Sequence, residues 1–517
     1  MIIMLKHLVT TRLTSALLIS CTAFTIPLAQ ANKSLSVPQI QQQVELKTPE
    51  AIARYRELLS LPNDANYPND IAKLSAWLTQ EFSRRAFNVQ KLKMSGSPIV
   101  YAERLVPGAS KTVLVYLQAD GQPVDNSAWD QPDPYTAELK QLVNGQWETR
   151  PWPNSTEKLD PNWRIFARSA ADSKGPIAQF ITALDILDGQ QASPNYNLKI
   201  IMDTEEEQGS PNLPAAIKAY KDKLSADLLL IFDGPPHQTN KPTITMGARG
   251  IATVQLTTYG PRKPQHSGHY GNYAPNPALH LAQILGSMKS QQGKVLIPGF
   301  YDGITLSDDL KAQLATVPDD EQQIMKKLGF SQADAVGASL QESIQYPSLN
   351  IRGLSSAWVG KQARTIVPAT ATAAMDIRLV KESDAGRLIQ LVRQHIEKLG
   401  YYVIDRAPTD AERAQHPYIV TMASREIYGA FRSEPDSAAG QMAIKGVTKL
   451  LGKSPIVLRS GGGSIPIAPI VDTLDIPAAI VASVNSDNNQ HSPNENLRVG
   501  HFIEGIAIIT SVLNEKL

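Results

Sequence analysis

The chain has 517 residues, 42% of them apolar and 19% charged, which is enough to bury a large core and, by length, to form more than one domain. Its 50 Lys and Arg against 49 Asp and Glu give a net charge of +1, with no basic run longer than a few residues, which excludes a nucleic-acid or anionic-membrane binder held by bulk charge. Cys21 is the only cysteine, so a core rather than an internal disulfide must hold the chain together.

Residues 1–31, MIIMLKHLVTTRLTSALLISCTAFTIPLAQA, place Lys6 and Arg12 before an uncharged apolar stretch and end on Ala29-Gln30-Ala31. This pattern predicts an export signal cleaved near Asn32 and a periplasmic destination. Leu18-Ile19-Ser20-Cys21 also reads as a lipoprotein signal, which makes a lipid anchor at Cys21 the alternative. Beyond the leader, TPEAIARYRELLSLP and DIAKLSAWLTQEFSRRAF carry apolar residues at helical spacing, and NVQKLKM and SPIVYAERLV read as short strands. Strand and helix then alternate through KTVLVYLQ, GPIAQFITALDILDG, YNLKIIMDT, NLPAAIKAYKDKL and ADLLLIFDG. The alternation predicts an α/β fold, a mostly parallel sheet with helices on both faces, in which functional residues gather at the carboxyl ends of strands.

From 243 the texture changes. TITMGARGIATVQLTTYGP alternates as a strand does, PALHLAQILGSM is helical, and TATAAMDIRLV, DAGRLIQLVRQHIEKLG and YYVIDRAP read as strand, helix, strand. The expected organisation is a main domain built from 32–242 and 411–517 around an inserted α+β domain at 243–410, with a helical excursion at 301–334 inside the insert. In the last part, HPYIVTMASREIYGAF and QMAIKGVTKLLG read as helices, IVLRS and AAIVASV as strands, and NLRVGHFIEGIAIITSVLNEKL as a closing helix.

Strand ends and loops of the main domain carry Asp120 in YLQADGQP, Asp172 in ARSAADSKGP, Glu206 and Glu207 in MDTEEEQGS, Asp233 in LIFDGPP and His491 in SDNNQHSPNEN. Taken singly, Asp172 reads as a helix N-cap, 205–207 as a solvated acidic run and Asp233 as a turn residue. Taken together, carboxylates and an imidazole arriving from several elements suit a divalent cation, and a carboxylate can bridge two such ions about 3.5–4 Å apart. A glutamate beside a ligand, but not itself ligating, can take a proton from water, and Glu206-Glu207 offers both roles.

The segments LQADGQP, ADSKGP, EEEQGS, FDGPP, QHSGHYG, MDIRLV, RSGGGSIP and QHSPNEN, in this order, resemble the motifs of the M20 family of co-catalytic metallopeptidases, above all its carnosinase-like and PepV-like dipeptidases. The resemblance spans nearly the whole mature chain. It implies a metal-dependent hydrolase of short peptides or related amides bearing a free carboxylate, of dipeptidase or carboxypeptidase type. Asp172 is implied to bridge two ions, Glu207 and His491 to complete one site and Asp233 to serve the other; Glu206 is the implied general base, with Asp120 in the same catalytic group. The inserted domain is implied to act as a lid and to form a homodimer, across which His266 polarises the scissile carbonyl. Arg378 is implied to bind the substrate carboxylate, and Gly462 and Gly463 to let backbone approach substrate. The plainer readings are that His266 stabilises its own turn and that Arg378 pairs with Asp376. One or two divalent ions per chain are implied, zinc first and manganese as the alternative.

In one place the chain departs from the family pattern, which has a histidine ligand where this chain has Gln118. A neutral amide oxygen is a weaker donor to zinc than imidazole. Three arrangements follow. Gln118 ligates through Oε1 while its amide donates to Asp120, favouring a harder ion such as manganese or magnesium; or a single ion sits at Asp172, Glu207 and His491; or the cleft binds peptides or acylated amino acids without hydrolysing them. His237, four residues after Asp233, is a further candidate ligand, with a surface loop histidine as the plainer reading.

Overall fold

The computed structural model describes residues 33–153 and 158–517, so the expected leader at 1–31, Cys21 included, lies outside the described residues. Within the strand Thr112–Gln118, Val113, Val115 and Leu117 enter one core with Ile177, Phe180 and Ile181, while Leu114 and Tyr116 enter another with Leu213, Ile217 and Ile470. Successive side chains of a strand point to opposite faces, so this split requires helices on both sides. Helix Gly175–Gly189 covers the first face, and helices Leu213–Ala219 and Ala468–Leu474 cover the second.

The main sheet runs in the order Asn88–Leu92, Ile99–Arg104, Asn197–Asp203, Thr112–Gln118, Leu228–Phe232, Ala478–Val481, Thr243–Thr245, Ile456–Leu458. Its centre, from Asn197–Asp203 to Ala478–Val481, is parallel throughout, and antiparallel pairs flank it. All four central strands therefore present their carboxyl ends along one edge, where the expected site residues follow them.

The insert is a second sheet, ordered Ser348–Ser355, Thr370–Leu379, Gly250–Tyr259, Ile419–Tyr428, Tyr402–Ile404. Helices Pro277–Met288 and Ala385–Lys398 cover one face of it, packing Leu281, Ile284, Leu388 and Val392 on Val254, Leu256, Ala373 and Met375. Short helices at Asp308–Leu314, Glu321–Leu328 and Leu340–Ser343 form the excursion.

The segment 416–431, expected as a helix, is mostly the strand Ile419–Tyr428, antiparallel to Gly250–Tyr259. Its Ile419 and Met422, three apart, fit a helix, whereas Val420 and Met422, two apart, fit a strand, and the ladder offered by the neighbouring strand decides between them. The insert's limits shift as a result. Thr243–Thr245 belongs to the main sheet, paired with Ala478–Val481 and Ile456–Leu458, so the insert is bounded by strands Gly250–Tyr259 and Ile419–Tyr428, not by 243 and 410.

A smaller sheet was absent from the sequence expectation: Asn496–Arg498, Arg164–Phe166, Glu138–Val143 and Gln146–Arg150. Its hairpin turns on Asn144-Gly145, both at positive φ, the dipeptide that such two-residue turns favour. The closing helix accordingly starts at Val499, after this strand. Pairing Asn496 with Phe166 ties the loop carrying His491 to the segment leading into Asp172.

Candidate active site

Three central strands deliver their residues within a few positions of their ends, and the fourth does so from a longer loop. Gln118 is the last residue of Thr112–Gln118, Glu206 and Glu207 open a short turn after Asp203, Asp233 follows Phe232, and His491 lies in the loop after Val481. Asp172 comes from the tight turn Ala170–Lys174 leading into helix Gly175–Gly189, and the Asp172–Ser173 peptide is cis.

The run Glu205 to Glu207 is not a solvated acidic patch. Glu205 is buried and accepts from the backbone of Ser97 and from the side-chain amide of Asn212, tethering the next helix. The turn ends on Gly209 at φ +79°, a conformation that excludes most L residues. Glu206 and Glu207 are thereby turned toward the other carboxylates.

Asp172, Glu207 and His491 converge so that one ligand atom from each lies within 4.8 Å of the others. His491 Nε2 is 3.0 Å from Asp172 Oδ2 and 3.4 Å from Glu207 Oε2. Tetrahedral zinc with bonds of about 2.0–2.1 Å separates its ligand atoms by roughly 3.3–3.4 Å, so these three fit a cation and leave its fourth position open. Gln122 Nε2 donates to Glu207 Oε2 at 2.7 Å, and Gln490 Nε2 to Asp172 Oδ2 at 3.4 Å, orienting both carboxylates.

The electrostatics ask for positive charge. Burial first, then the charges of Asp172, Asp233 and Glu207, hold the Glu206 carboxyl well above its ordinary range. Glu207 and Asp233 are pushed up as well, by burial and then by Asp172. His491 moves the same way for the opposite reason: its hydrogen bond to Asp172 and the nearby Glu207 charge favour imidazolium over the opposing cost of burial.

The second expected position is different. Ser173 Oγ lies 2.7 Å from Gln118 Oε1, 2.8 Å from Asp233 Oδ1 and 3.0 Å from Asp172 Oδ1. A hydroxyl thus occupies the point on which those three oxygens converge, and no imidazole joins them; these residues do not fit a second zinc ion. Nor does Gln118 reach Asp120. Both oxygens of Asp120 accept backbone N–H groups, of Glu206 at 2.9 Å and of Glu207 at 3.1 Å, so Asp120 positions the acidic turn and does not join the reacting group. His237 is no ligand and no surface residue: it is buried, with Nε2 on Asp319 Oδ1 at 2.8 Å and Nδ1 on Thr239 Oγ1 at 2.9 Å.

Arg378 pairs with Asp376 at 3.3 Å and donates from Nη1 to Ser464 Oγ at 2.7 Å, which leaves it half-buried at the insert's face toward the main domain. Gly462 and Gly463 precede Ser464; a methyl group added at Gly463 would meet nothing within 4 Å, so there is open space beside that backbone. His266 is exposed, caps the helix Ser267–Tyr270 by accepting Gly268 N–H at 3.0 Å, and faces His269, and none of its contacts is with the acidic cluster among the described residues.

Four residues of the site escaped sequence reading. Ser173 is one. Glu495 is fully buried and accepts the N–H groups of Ser169, Ala171 and Asp172, each at 2.9 Å, together with Arg168 Nη1 at 2.8 Å, fixing the Asp172 turn. Its place four residues after His491 in one loop was the available signal. Arg249 is buried near Arg378 and donates to the Tyr346 carbonyl at 2.8 Å. Tyr428 closes the strand Ile419–Tyr428; its hydroxyl is pushed up to about 12 by burial and then by Glu206, with Arg378 opposing. The ring also packs beside Gly209, so Tyr428 of the insert lies against the turn that carries Glu206, and both Glu206 and Arg378 are near enough to act on its hydroxyl.

Three residues placed so that they could hold a cation, with a further buried glutamate beside them at the carboxyl edge of a parallel sheet, are what a metal-dependent hydrolase of small substrates requires. Residues 142–515 match the sequence profile of Peptidase family M20/M25/M40, and the chain belongs to that family; it is a hydrolase of peptide bonds. It is 26% identical over 511 residues to a Cys-Gly metallodipeptidase of Schizosaccharomyces pombe, covering 93% of this chain and 98% of the relative. It is 22% identical over 504 residues to the Beta-Ala-His dipeptidase of Homo sapiens, covering 92% of each. The crystal structure of an M20 family metallo-carboxypeptidase from Sulfolobus solfataricus superposes with a TM-score of 0.73 at 26% identity, covering 90% of this chain and 98% of that one.

Proposed function

We propose that this chain hydrolyses dipeptides and closely related short amides whose C-terminal residue keeps a free carboxylate. The observation that carries this reading is the triad of Asp172, Glu207 and His491, one ligand atom of each within 4.8 Å of the others, with Glu206 beside it and Arg378 held on the insert by Ser464. The names of the relatives support it, since they act on Cys-Gly and on beta-Ala-His.

Asp172, Glu207 and His491 would hold the ion. When bound, a divalent cation supplies Lewis acidity, lowering the pKa of water toward neutrality and polarising a carbonyl. The mixed N and O donor set suits zinc, with manganese as the alternative. Glu206, whose carboxylate is committed by no hydrogen bond among the described residues, takes the attacking water's proton and returns it to the departing amine. Arg378, held by Ser464 and Asp376, grips the substrate carboxylate as a planar fork and sets the distance from that end to the scissile bond. Gly462 and Gly463 keep the adjoining backbone open to substrate.

A homodimer through the insert completes the proposal. The edge strand Ser348–Ser355 exposes Ile351 and Leu354, and Trp358, Val359 and Tyr273 are exposed elsewhere on the insert. In such a dimer His266 serves the partner's cleft, not its own. Export to the periplasm, with a lipid anchor at Cys21 as the alternative, rests on the sequence of 1–31; fractionating cells that express the chain with and without that segment tests it.

The central experiment is turnover of a dipeptide panel by the wild type and by Glu206→Gln. Loss of turnover in the variant with metal content retained is expected. Turnover unchanged in the variant removes Glu206 from its role, and a wild type that binds dipeptides without cleaving any of them makes the chain a binding protein.

A further inference from the structure

We propose that this chain carries one catalytic ion, held by Asp172, Glu207 and His491, and that the position beside it, between Gln118, Asp172 and Asp233, is filled by the Ser173 hydroxyl in place of a second ion. The inference rests on the hydrolase reading above and deepens it, since it alters how many ions that chemistry uses and what Asp172 does.

The first argument concerns donors. The triad of Asp172, Glu207 and His491 offers two carboxylates and an imidazole at mutual distances of a single coordination sphere, the three protein ligands plus open position of mononuclear catalytic zinc sites. The neighbouring position offers one carboxylate of its own, Asp233, a share of Asp172, and the neutral amide oxygen of Gln118. Zinc, which favours imidazole and thiolate, is poorly served by that set, and magnesium or manganese would have to complete about six oxygens with water in the room that the Ser173 hydroxyl takes up.

The second argument concerns space. Ser173 Oγ is 2.7–3.0 Å from all three oxygens, which are hydrogen-bond distances and longer than metal–oxygen bonds of about 2.0–2.2 Å. Gln118 and Ser173 are both buried, at 4% and 1% exposure, so the hydroxyl is not free to swing into solvent when a cation arrives. A seryl O–H can use such a position without a cation: it donates to one of the three oxygens at a time, and accepts from the Gln118 amide N–H when that group is turned over. Gln118 and Ser173 therefore belong together. The glutamine removes the imidazole, and the serine takes up the room. Asp172 becomes a terminal ligand rather than a bridge.

The test is metal stoichiometry on the full-length mature protein. Metal per chain is measured by plasma mass spectrometry after equilibration with excess zinc, and separately with manganese and with magnesium, followed by gel filtration; cobalt titration followed by its visible spectrum gives an independent count. The wild type is expected to hold one ion per chain, His491→Ala to hold none, and Gln118→Ala to keep one. The double variant Gln118→His with Ser173→Gly, which restores an imidazole and clears the hydroxyl, is expected to rise to two. Two ions per wild-type chain with any of the three metals overturns the proposal, as does loss of the single ion in a folded Gln118→Ala. The wild-type count decides even if the double variant does not fold. Dipeptide turnover is read on the same samples: one ion with no turnover defeats the hydrolase reading and leaves the count standing, whereas two ions with turnover defeats only the count.

Discussion

Asp120 holds the turn that carries Glu206 by both of its oxygens, Oδ1 on the Glu206 N–H at 2.9 Å and Oδ2 on the Glu207 N–H at 3.1 Å. One carboxylate at the end of one strand thus sets the backbone of the acid pair at the end of its neighbour. Asp120→Ala leaves two N–H groups without acceptors and frees the turn to drift. We expect kcat to fall about 10–100-fold, the scale for loss of an orienting contact, with KM little changed because Arg378 is untouched. Asp120→Asn, which keeps one acceptor oxygen, should lie between. Steady-state kinetics on a cleaved dipeptide separates the two parameters, and a raised KM with intact kcat would contradict a positioning role.

In the metal-free protein His491 is held protonated by Asp172 and Glu207, and Glu207 itself is pushed up. An ion must displace those protons, so its apparent affinity should fall as pH falls, by up to about tenfold per unit for each proton released. The stability consequence has a definite sign. The raised imidazole pKa stabilises the metal-free fold fully below the unfolded value of about 6.5, and that contribution fades as pH rises through the folded value. The thermal shift on adding zinc should therefore grow between about pH 6 and about pH 8.5. Melting curves with and without zinc at several pH values check this; a pH-independent shift would place the ion elsewhere.

The positions of the acidic groups were legible because a parallel sheet concentrates function at strand ends, and KTVLVYLQ, YNLKIIMDT and ADLLLIFDG announce three of those ends by apolar runs. What Asp120 and Ser173 do was not legible. Asp120 was expected beside Gln118 because the two are close in sequence, yet it reaches across to the next strand, a partnership that depends on sheet order. Ser173 reads as an ordinary turn residue until the fold brings Gln118 and Asp233, 55 and 60 positions away, onto its hydroxyl. The strand Ile419–Tyr428 failed for a related reason: its local pattern permits a helix, and only pairing with Gly250–Tyr259 selects the strand.

Glu495 and Arg168 form a buried ion pair, at 0% and 3% side-chain exposure, in which the carboxylate also accepts three backbone N–H groups around Asp172. Glu495→Ala leaves a buried guanidinium unpaired and should cost about 3–5 kcal/mol of stability, with Glu495→Gln costing less because an acceptor oxygen survives. Because the same carboxylate shapes the Asp172 turn, metal affinity should drop about 10–100-fold in a variant that still folds. Urea denaturation in the presence of chelator isolates the first effect and competition with a metal indicator the second. A stable Glu495→Ala protein with unchanged affinity would show that the turn holds its shape without this anchor.

Arg378 is presented to the cleft by Ser464 and Asp376 rather than neutralised by them: Asp376 reaches Nε at 3.3 Å and Ser464 takes Nη1 at 2.7 Å. A substrate carboxylate meeting the guanidinium makes charge-assisted hydrogen bonds of about 1.5–3 kcal/mol. Arg378→Ala should accordingly raise KM by roughly 10–150-fold, and Arg378→Lys should not rescue it, because an ammonium lacks the planar fork. The sharper readout compares a dipeptide with its C-terminal amide. Wild type should prefer the free acid strongly, and the preference should collapse in Arg378→Ala, since an anchor that recognises the carboxylate contributes nothing to the amide. If the variant loses activity on both substrates equally, Arg378 maintains the seam between insert and main domain instead of reading the substrate's end.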